Sequence, residues 1–176
     1  MKKLFFAILA LATLTFASCE KEPIGGTATQ EMAGQWYTTI QHIDEDGSVM
    51  YDGEDLFGIG QFWTLTYNTA ADKAEEMWIS DVDGAFWEYQ VKVKCNMSDK
   101  SFSVTEGEDI LNGALVTITN GKILPGAAKT PSGMKADSIV FDILFSDDPY
   151  AYGAGGPYYD HLRVTGYRYT GLAADD

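Results

Sequence analysis

The clearest regularity in the chain is a period of two. Between Trp87 and Cys95 the residues Trp87, Tyr89, Val91, Val93 and Cys95 alternate with Glu88, Gln90, Lys92 and Lys94. This is the pattern of an antiparallel strand with one buried and one wet face. Alternation of the same kind predicts strands over Trp36–Ile43, Gln61–Thr69, Glu76–Val82, Ser101–Thr105, Leu115–Thr119, Ser138–Ser146 and His161–Thr170. These segments are rich in the β-branched and aromatic residues that fit a pleated sheet. Ser48–Asp52 reads either as a returning strand or as part of a loop. Breaks fall at turn residues: Asp44-Glu45-Asp46-Gly47, the hairpin signal Asp83-Gly84, and Asn120-Gly121, which is expected to end its strand. Two long loops are expected, Ile123–Ala136 and Asp147–Tyr159, both containing Gly and Pro. No stretch carries the 3.6-residue period of an amphipathic helix.

About eight short antiparallel strands with one apolar face make an all-β domain, a closed barrel or a sandwich. A single eight-stranded barrel is the expected form, because closure removes the edges an open sheet exposes. Such a barrel has room for one small ligand. Its seam is expected near Gly34-Gln35-Trp36, where Gly34 lets the chain bend into the first strand and Trp36 plugs one end. The indole needs a partner, and Arg168 suits it, sharing parity with Leu162, Val164 and Gly166; Arg163 has the opposite parity. The alternative is a Trp36 that is simply core in another β-fold. The inward set is expected to comprise Thr38 and His42 with Trp63, Tyr67, Trp87, Tyr89, Phe141 and Phe145. An aromatic lining around a few polar groups is what a small-molecule pocket needs. Whether these rings line a cavity or fill it stays open.

The first residues change the picture of where the domain sits. Met1-Lys2-Lys3 is a basic start, Leu4–Phe16 is almost wholly apolar, and Ala17-Ser18 are small, which together predict a secretory leader over residues 1–18. Its apolar run is too short to span a bilayer. Phe16-Ala17-Ser18-Cys19 resembles the lipobox of bacterial lipoproteins, which implies cleavage before Cys19 and lipidation of that cysteine. Residues 19–32 are then a lipidated cysteine and flexible tether, 33–172 the barrel, and 173–176 an acidic tail expected to fray. Glu20, rather than Asp, follows the cysteine; by lipoprotein habit this favours the outer membrane, on its periplasmic or surface face.

With 12 basic against 26 acidic residues the chain carries −14, and loss of Lys2 and Lys3 with the leader deepens this by two. That surface repels nucleic acid and anionic headgroups, so membrane contact is expected through the N-terminal lipid alone, by a monomer. With Cys19 lipidated only Cys95 remains, which excludes an intramolecular disulfide and reads as a small buried hydrophobe.

Candidate chemistry is sparse. A serine nucleophile needs a base in reach, and the imidazoles are His42 and His161. No Gly-x-Ser-x-Gly elbow occurs, Ser132 in Pro131-Ser132-Gly133 reads as a turn residue, and Asp160 beside His161 points to the other face of its strand. Cys95 has no evident activating partner. Two histidines and one thiol are too few for zinc. Asp44–Gly47 and Asp147-Asp148 lack the ligand alternation of a calcium loop. No metal or cofactor is expected. The tyrosines of Tyr150–Tyr159 offer an alternative role, a recognition surface on a filled barrel.

Several motifs recur together in order. They are Ala33-Gly34-x-Trp36-Tyr37, Thr66-Tyr67-Asn68-Thr69-Ala70, Met77-Trp78-Ile79-x-Asp81, Asn120-Gly121-Lys122-Ile123, Asp137-Ser138-Ile139, Phe145-Ser146-Asp147-Asp148 and Gly166-Tyr167-Arg168-x-Thr170-Gly171. Together they resemble the family known as lipid-binding putative hydrolases, bacterial exported lipoproteins, over nearly the whole chain beyond the leader. The resemblance implies a calycin-like barrel, as in lipocalins and fatty-acid-binding proteins. The aromatic supply on the inward faces points to a small apolar or lipid-like ligand, such as a long-chain fatty acid. Hydrolysis of a lipid or ester is the alternative, and no active-site set is carried across.

Overall fold

The structure, a computed structural model, describes residues 25–44, 46–51, 55, 57–81, 83–148 and 161–175, with the backbone alone at His161. The leader, Cys19, Asp160 and the Tyr150–Tyr159 segment lie outside the described residues. The strands are β1 (Gly34–Ile43), β2 (Val49–Met50), β3 (Phe62–Asn68), β4 (Glu76–Asp81), β5 (Gln90–Asn96), β6 (Ser101–Glu108), β7 (Leu115–Lys129), β8 (Lys135–Phe145) and β9 (His161–Arg168). No helix occurs among the described residues. Sequential antiparallel pairing runs from β3 to β9, and β1 pairs with both β3 and β9. The sheet is therefore a closed eight-stranded barrel, with β2 an additional short strand on the end of β1.

β1 closes the barrel along a ladder from Trp36↔Arg168 to Ile43↔His161, while its first half pairs with β3 from Gly34↔Thr66 to Thr38↔Phe62. At the base of this seam Trp36 is fully buried. The Arg168 guanidinium lies 4.3 Å from the centre of its ring, a cation–π contact. Arg168 also donates to Asp137 Oδ2 at 3.1 Å, to the Glu31 carbonyl at 3.3 Å and to the Ala33 carbonyl. The indole N–H donates to Thr66 Oγ1 at 2.9 Å, and that hydroxyl donates onward to the Met32 carbonyl at 2.6 Å. Gly34 serves this network differently from the expected bend. Its φ is not positive; a β-carbon there would overlap the guanidinium.

Three boundaries differ from the sequence reading. The end of the expected tether, residues 27–32, is ordered against the barrel: a turn joined by Met32 N to Thr29 O (2.8 Å) and Ala33 N to Thr29 O (2.9 Å) lies across the base. Met32 is fully buried in the core cluster there, because an apolar side chain at the barrel end gains more from burial than from water. Asn120-Gly121 does not end its strand, and Ile123–Ala136 is not a long loop. β7 continues to Lys129 through two register shifts, at 119–122 and 124–128. Asn120 (φ 54°) and Gly126 (φ 62°) take the left-handed conformation. Turn residues here make bulges that bend one long strand, and Gly121 lacks a side chain where the Phe102 carbonyl and ring press against it. Finally, the tail does not fray at Asp175. That residue is 1% exposed, its carboxylate accepting from Ser132 N (2.9 Å) and Thr170 Oγ1 (2.6 Å). The Ser132 side chain first, then the Thr170 hydroxyl, hold its carboxyl well below the usual carboxylate range, with the Ser132 amide adding to them.

Two outcomes follow from this end of the barrel. Gly34→Ala is expected to destabilise the fold by about 1–3 kcal/mol in urea titration, as an overpacked site does. The folded Asp175 carboxyl titrates below its ordinary value of 3.8, so its contribution is present above that pH and is lost as pH falls through the lower folded value. Asp175→Asn should therefore lower stability at neutral pH and flatten the loss seen below about pH 4, measured by melting temperature against pH.

Candidate ligand-binding end of the barrel

Moving along β1 from Trp36 to His42 covers six residues, about 20 Å of strand, and reaches the other end of the barrel. Here the core turns aromatic. Phe145, which closes β8, is fully buried, and Phe62, which opens β3, is 2% exposed. The Trp87 ring stacks on Phe145 with centroids 4.9 Å apart and planes 13° from parallel. Tyr89 meets the same ring edge-on at 5.3 Å. Phe86 lies among Phe57 (5.9 Å), Phe62 (5.5 Å) and Phe145 (5.8 Å), and Phe57 stacks over the His42 ring at 5.1 Å. Exposure is graded through this stack: Phe57 is 41% exposed, Phe86 and Trp87 are half-buried, and Tyr89 and Phe145 are closed to solvent. Apolar surface thus runs continuously from the rim into the core.

The connection carrying Phe86 and Trp87 is held from below. Asp81 Oδ2 accepts the amides of Phe86 (2.8 Å) and Trp87 (3.1 Å), and Asp81 N donates to the Tyr89 carbonyl at 3.1 Å. Asp83-Gly84 is therefore part of a longer carboxylate-braced loop, not a tight hairpin, and Trp87 precedes β5 instead of lying within it. On the neighbouring edge Asp109 Oδ1 accepts from Gln90 N (2.9 Å) and Leu111 N (3.0 Å). Burial, followed by the charges of Asp81 and Asp109, pushes the Tyr89 phenol well above its ordinary value, so it stays protonated.

The expected inward set divides. Thr38, His42, Tyr89, Phe141 and Phe145 are buried, and Trp87 joins the stack at the rim. Thr38 Oγ1 lies 2.9 Å from Thr64 Oγ1 and donates to the Phe62 carbonyl at 3.0 Å. Trp63 and Tyr67 do not line the interior. β3 turns Phe62, Thr64 and Thr66 inward, because Trp36 pairs with Thr64 and Thr38 with Phe62, and opposed residues share a face. Trp63 instead stacks on Tyr37 at 3.8 Å on the outer wall, with Tyr169 edge-on at 4.9 Å. Sequence reasoning missed Phe57, Phe62, Phe86, Asp81 and Asp109. β-formers on both faces of β3 hid Phe62, and the others lie in loops or at strand ends without alternation.

The remaining candidates lie elsewhere. Ser132 sits in the 130–134 turn at the sealed end, its hydroxyl 3.0 Å from Thr130 Oγ1, so it and His42 are a barrel length apart. The Cys95 thiol is half-buried, donates to the Ala74 carbonyl at 3.2 Å, and is pushed up by burial and then by Glu75 and Glu76. Both effects disfavour a thiolate. Among the described residues no three His, Cys, Asp or Glu side chains converge as metal ligands. An open groove of about 590 Å³ runs along β5, β6 and β7, lined by Lys94, Ser101, Ser103 and Lys122 together with the apolar Cys95 and Phe102.

A family model described as lipid-binding putative hydrolase matches residues 21–173. No curated protein matches the chain.

Truncations should separate core from rim within the stack. Phe145→Ala is expected to cost about 3–5 kcal/mol by denaturant unfolding, as a cavity-forming change does. Phe57→Ala, at an exposed rim position, should cost less than about 1 kcal/mol.

Proposed function

Since the chain belongs to this lipid-binding family, we propose that it takes a small apolar or lipid-like molecule at the aromatic end of the barrel. The observation that carries the reading is the gradient from half-exposed Phe57, Phe86 and Trp87 to buried Tyr89 and Phe145. A surface of this kind desolvates an apolar chain progressively. The polar atoms beneath it can orient the head, the division of labour found in small-molecule sites. The sealed base contributes by keeping the frame rigid while the rim adapts.

We also propose that the domain works on a membrane, tethered through a lipidated Cys19, most simply at the outer membrane and as a monomer. The basic and apolar leader and the small residues before Cys19 support this reading. Tethering would keep the rim near the bilayer, the source of its ligand, while the acidic surface discourages contact with anionic headgroups.

Ligand binding raises melting temperature in proportion to occupancy. A panel of long-chain lipids should therefore contain members that raise it and change the intrinsic fluorescence, with the fluorescence response lost in Trp87→Phe. Unchanged melting across the panel would remove the binding reading. Anchoring is checked by fractionation: the parent chain should partition with membranes and Cys19→Ser should not, so a variant that still pellets with membranes counts against the tether.

A further inference from the structure

At the aromatic end lie more buried polar atoms than the described residues pair. Asp81 is 2% exposed, and Tyr89 and Asp109 are fully buried. One oxygen of each carboxylate accepts two backbone amides. The other oxygens, Asp81 Oδ1 and Asp109 Oδ2, and the Tyr89 hydroxyl have no hydrogen-bonding partner among the described residues. The three are brought together by adjacent strands. Asp81 N donates to the Tyr89 carbonyl, and Asp109 accepts the amide of the next residue, Gln90. Both carboxylates act electrostatically on the Tyr89 phenol, and no lysine or arginine among the described residues counters them there. Buried polar atoms are nearly always paired, and leaving them unpaired is costly. Three such atoms lie at the aromatic end of the barrel, where polar atoms of a ligand would complete their hydrogen bonding.

Their chemistry says which kind. The two carboxylate oxygens can only accept hydrogen bonds, and the phenol can accept one while donating another. An ammonium or hydroxyl head supplies the missing donors. A carboxylate head supplies none to Asp81 or Asp109 and meets two negative charges in a medium that screens them poorly. We propose, resting on the binding reading above, that the head of the bound lipid reaches Asp81, Tyr89 and Asp109. The site thereby selects a lipid ending in an amine or alcohol over one ending in a free carboxylate.

The test uses three probes of one chain length, dodecylamine, dodecanol and dodecanoate, titrated at neutral pH by melting shift and by fluorescence. The amine and the alcohol should each bind about tenfold or more tighter than the acid, the effect of a charge-assisted hydrogen bond. The uncharged alcohol separates head recognition from general attraction of an ammonium to an acidic surface. Asp81→Asn and Asp109→Asn keep an oxygen for the backbone amides and should collapse the preference. Tyr89→Phe should melt at or above the parent without ligand, because it deletes an unpaired hydroxyl, and should bind dodecanol more weakly; a merely structural tyrosine would not divide in this way. Equal or tighter binding of dodecanoate, or an order of preference unchanged in both Asn variants, overturns the head selection. If Trp87→Ala weakens all three probes in that case, the apolar site itself stands. Failure of all three probes to bind removes both readings.

Discussion

The structure depends on one strand being shared. β1 pairs with β3 through its first half and with β9 along nearly its whole length, and this double pairing turns a sheet into a barrel. What fixes β1 in place is Trp36, whose ring face is covered by Arg168 and whose N–H is taken by Thr66. With Trp36 inward, Thr38 and His42 must follow, and Tyr37 must point out. Register carries this choice across the ladder: Thr64 opposite Trp36 is inward, and Trp63 opposite Tyr37 is outward. A slip by one residue would reverse every face.

The two ends of the barrel are built on opposite principles. At the base nearly every strong donor has an acceptor: Arg168 reaches the carbonyls of Glu31 and Ala33 and the Asp137 carboxylate, while Ser132 and Thr170 donate to Asp175. Arginine suits such a position because its planar fork satisfies several acceptors at once. At the other end the contacts are mainly ring on ring, and buried oxygens on Asp81, Asp109 and Tyr89 find no partner among the described residues. Proteins that satisfy local rules almost everywhere tend to break them where they act. The sealed base secures the frame within which the other end can depart from those rules.

Charge is distributed in keeping with this division. In a chain of net charge −14, Arg163 is used to hold Asp142, with Nε 2.7 Å from Oδ1, and to bind the Gly47 carbonyl at 3.0 Å. Asp142, 4% exposed, also accepts from Asn120 at 2.8 Å, so the β7 bulge and β9 meet at one carboxylate of β8, and Arg163 ties the β1–β2 turn to them. The bidentate ion pair keeps the Arg163 guanidinium more firmly charged than usual, despite partial burial. Arg163 and Arg168 are thus employed in joining strands, on opposite faces of β9.

Alternation along the chain, read without coordinates, was enough for an all-β fold, for most strand positions and for the closed form, since an apolar face of period two has few ways to bury itself. The apolar parity of β5, β8 and β9 was legible because one face in each is distinctly more apolar or better patterned. Parity in β3 was not, because Phe62, Thr64 and Thr66 are as compatible with a pleated sheet as Trp63, Leu65 and Tyr67; only pairing with β1 decides. Asn120-Gly121 and Pro125-Gly126 look the same locally whether they turn a chain or bulge a strand, and the neighbour pressing on Gly121 makes the difference. The convergence of Asp81, Tyr89 and Asp109 is invisible in sequence, since each sits near the end of a different strand. Alternation is a local property and survives in one dimension, whereas register, bulges and the meeting of distant carboxylates exist only once the strands lie side by side.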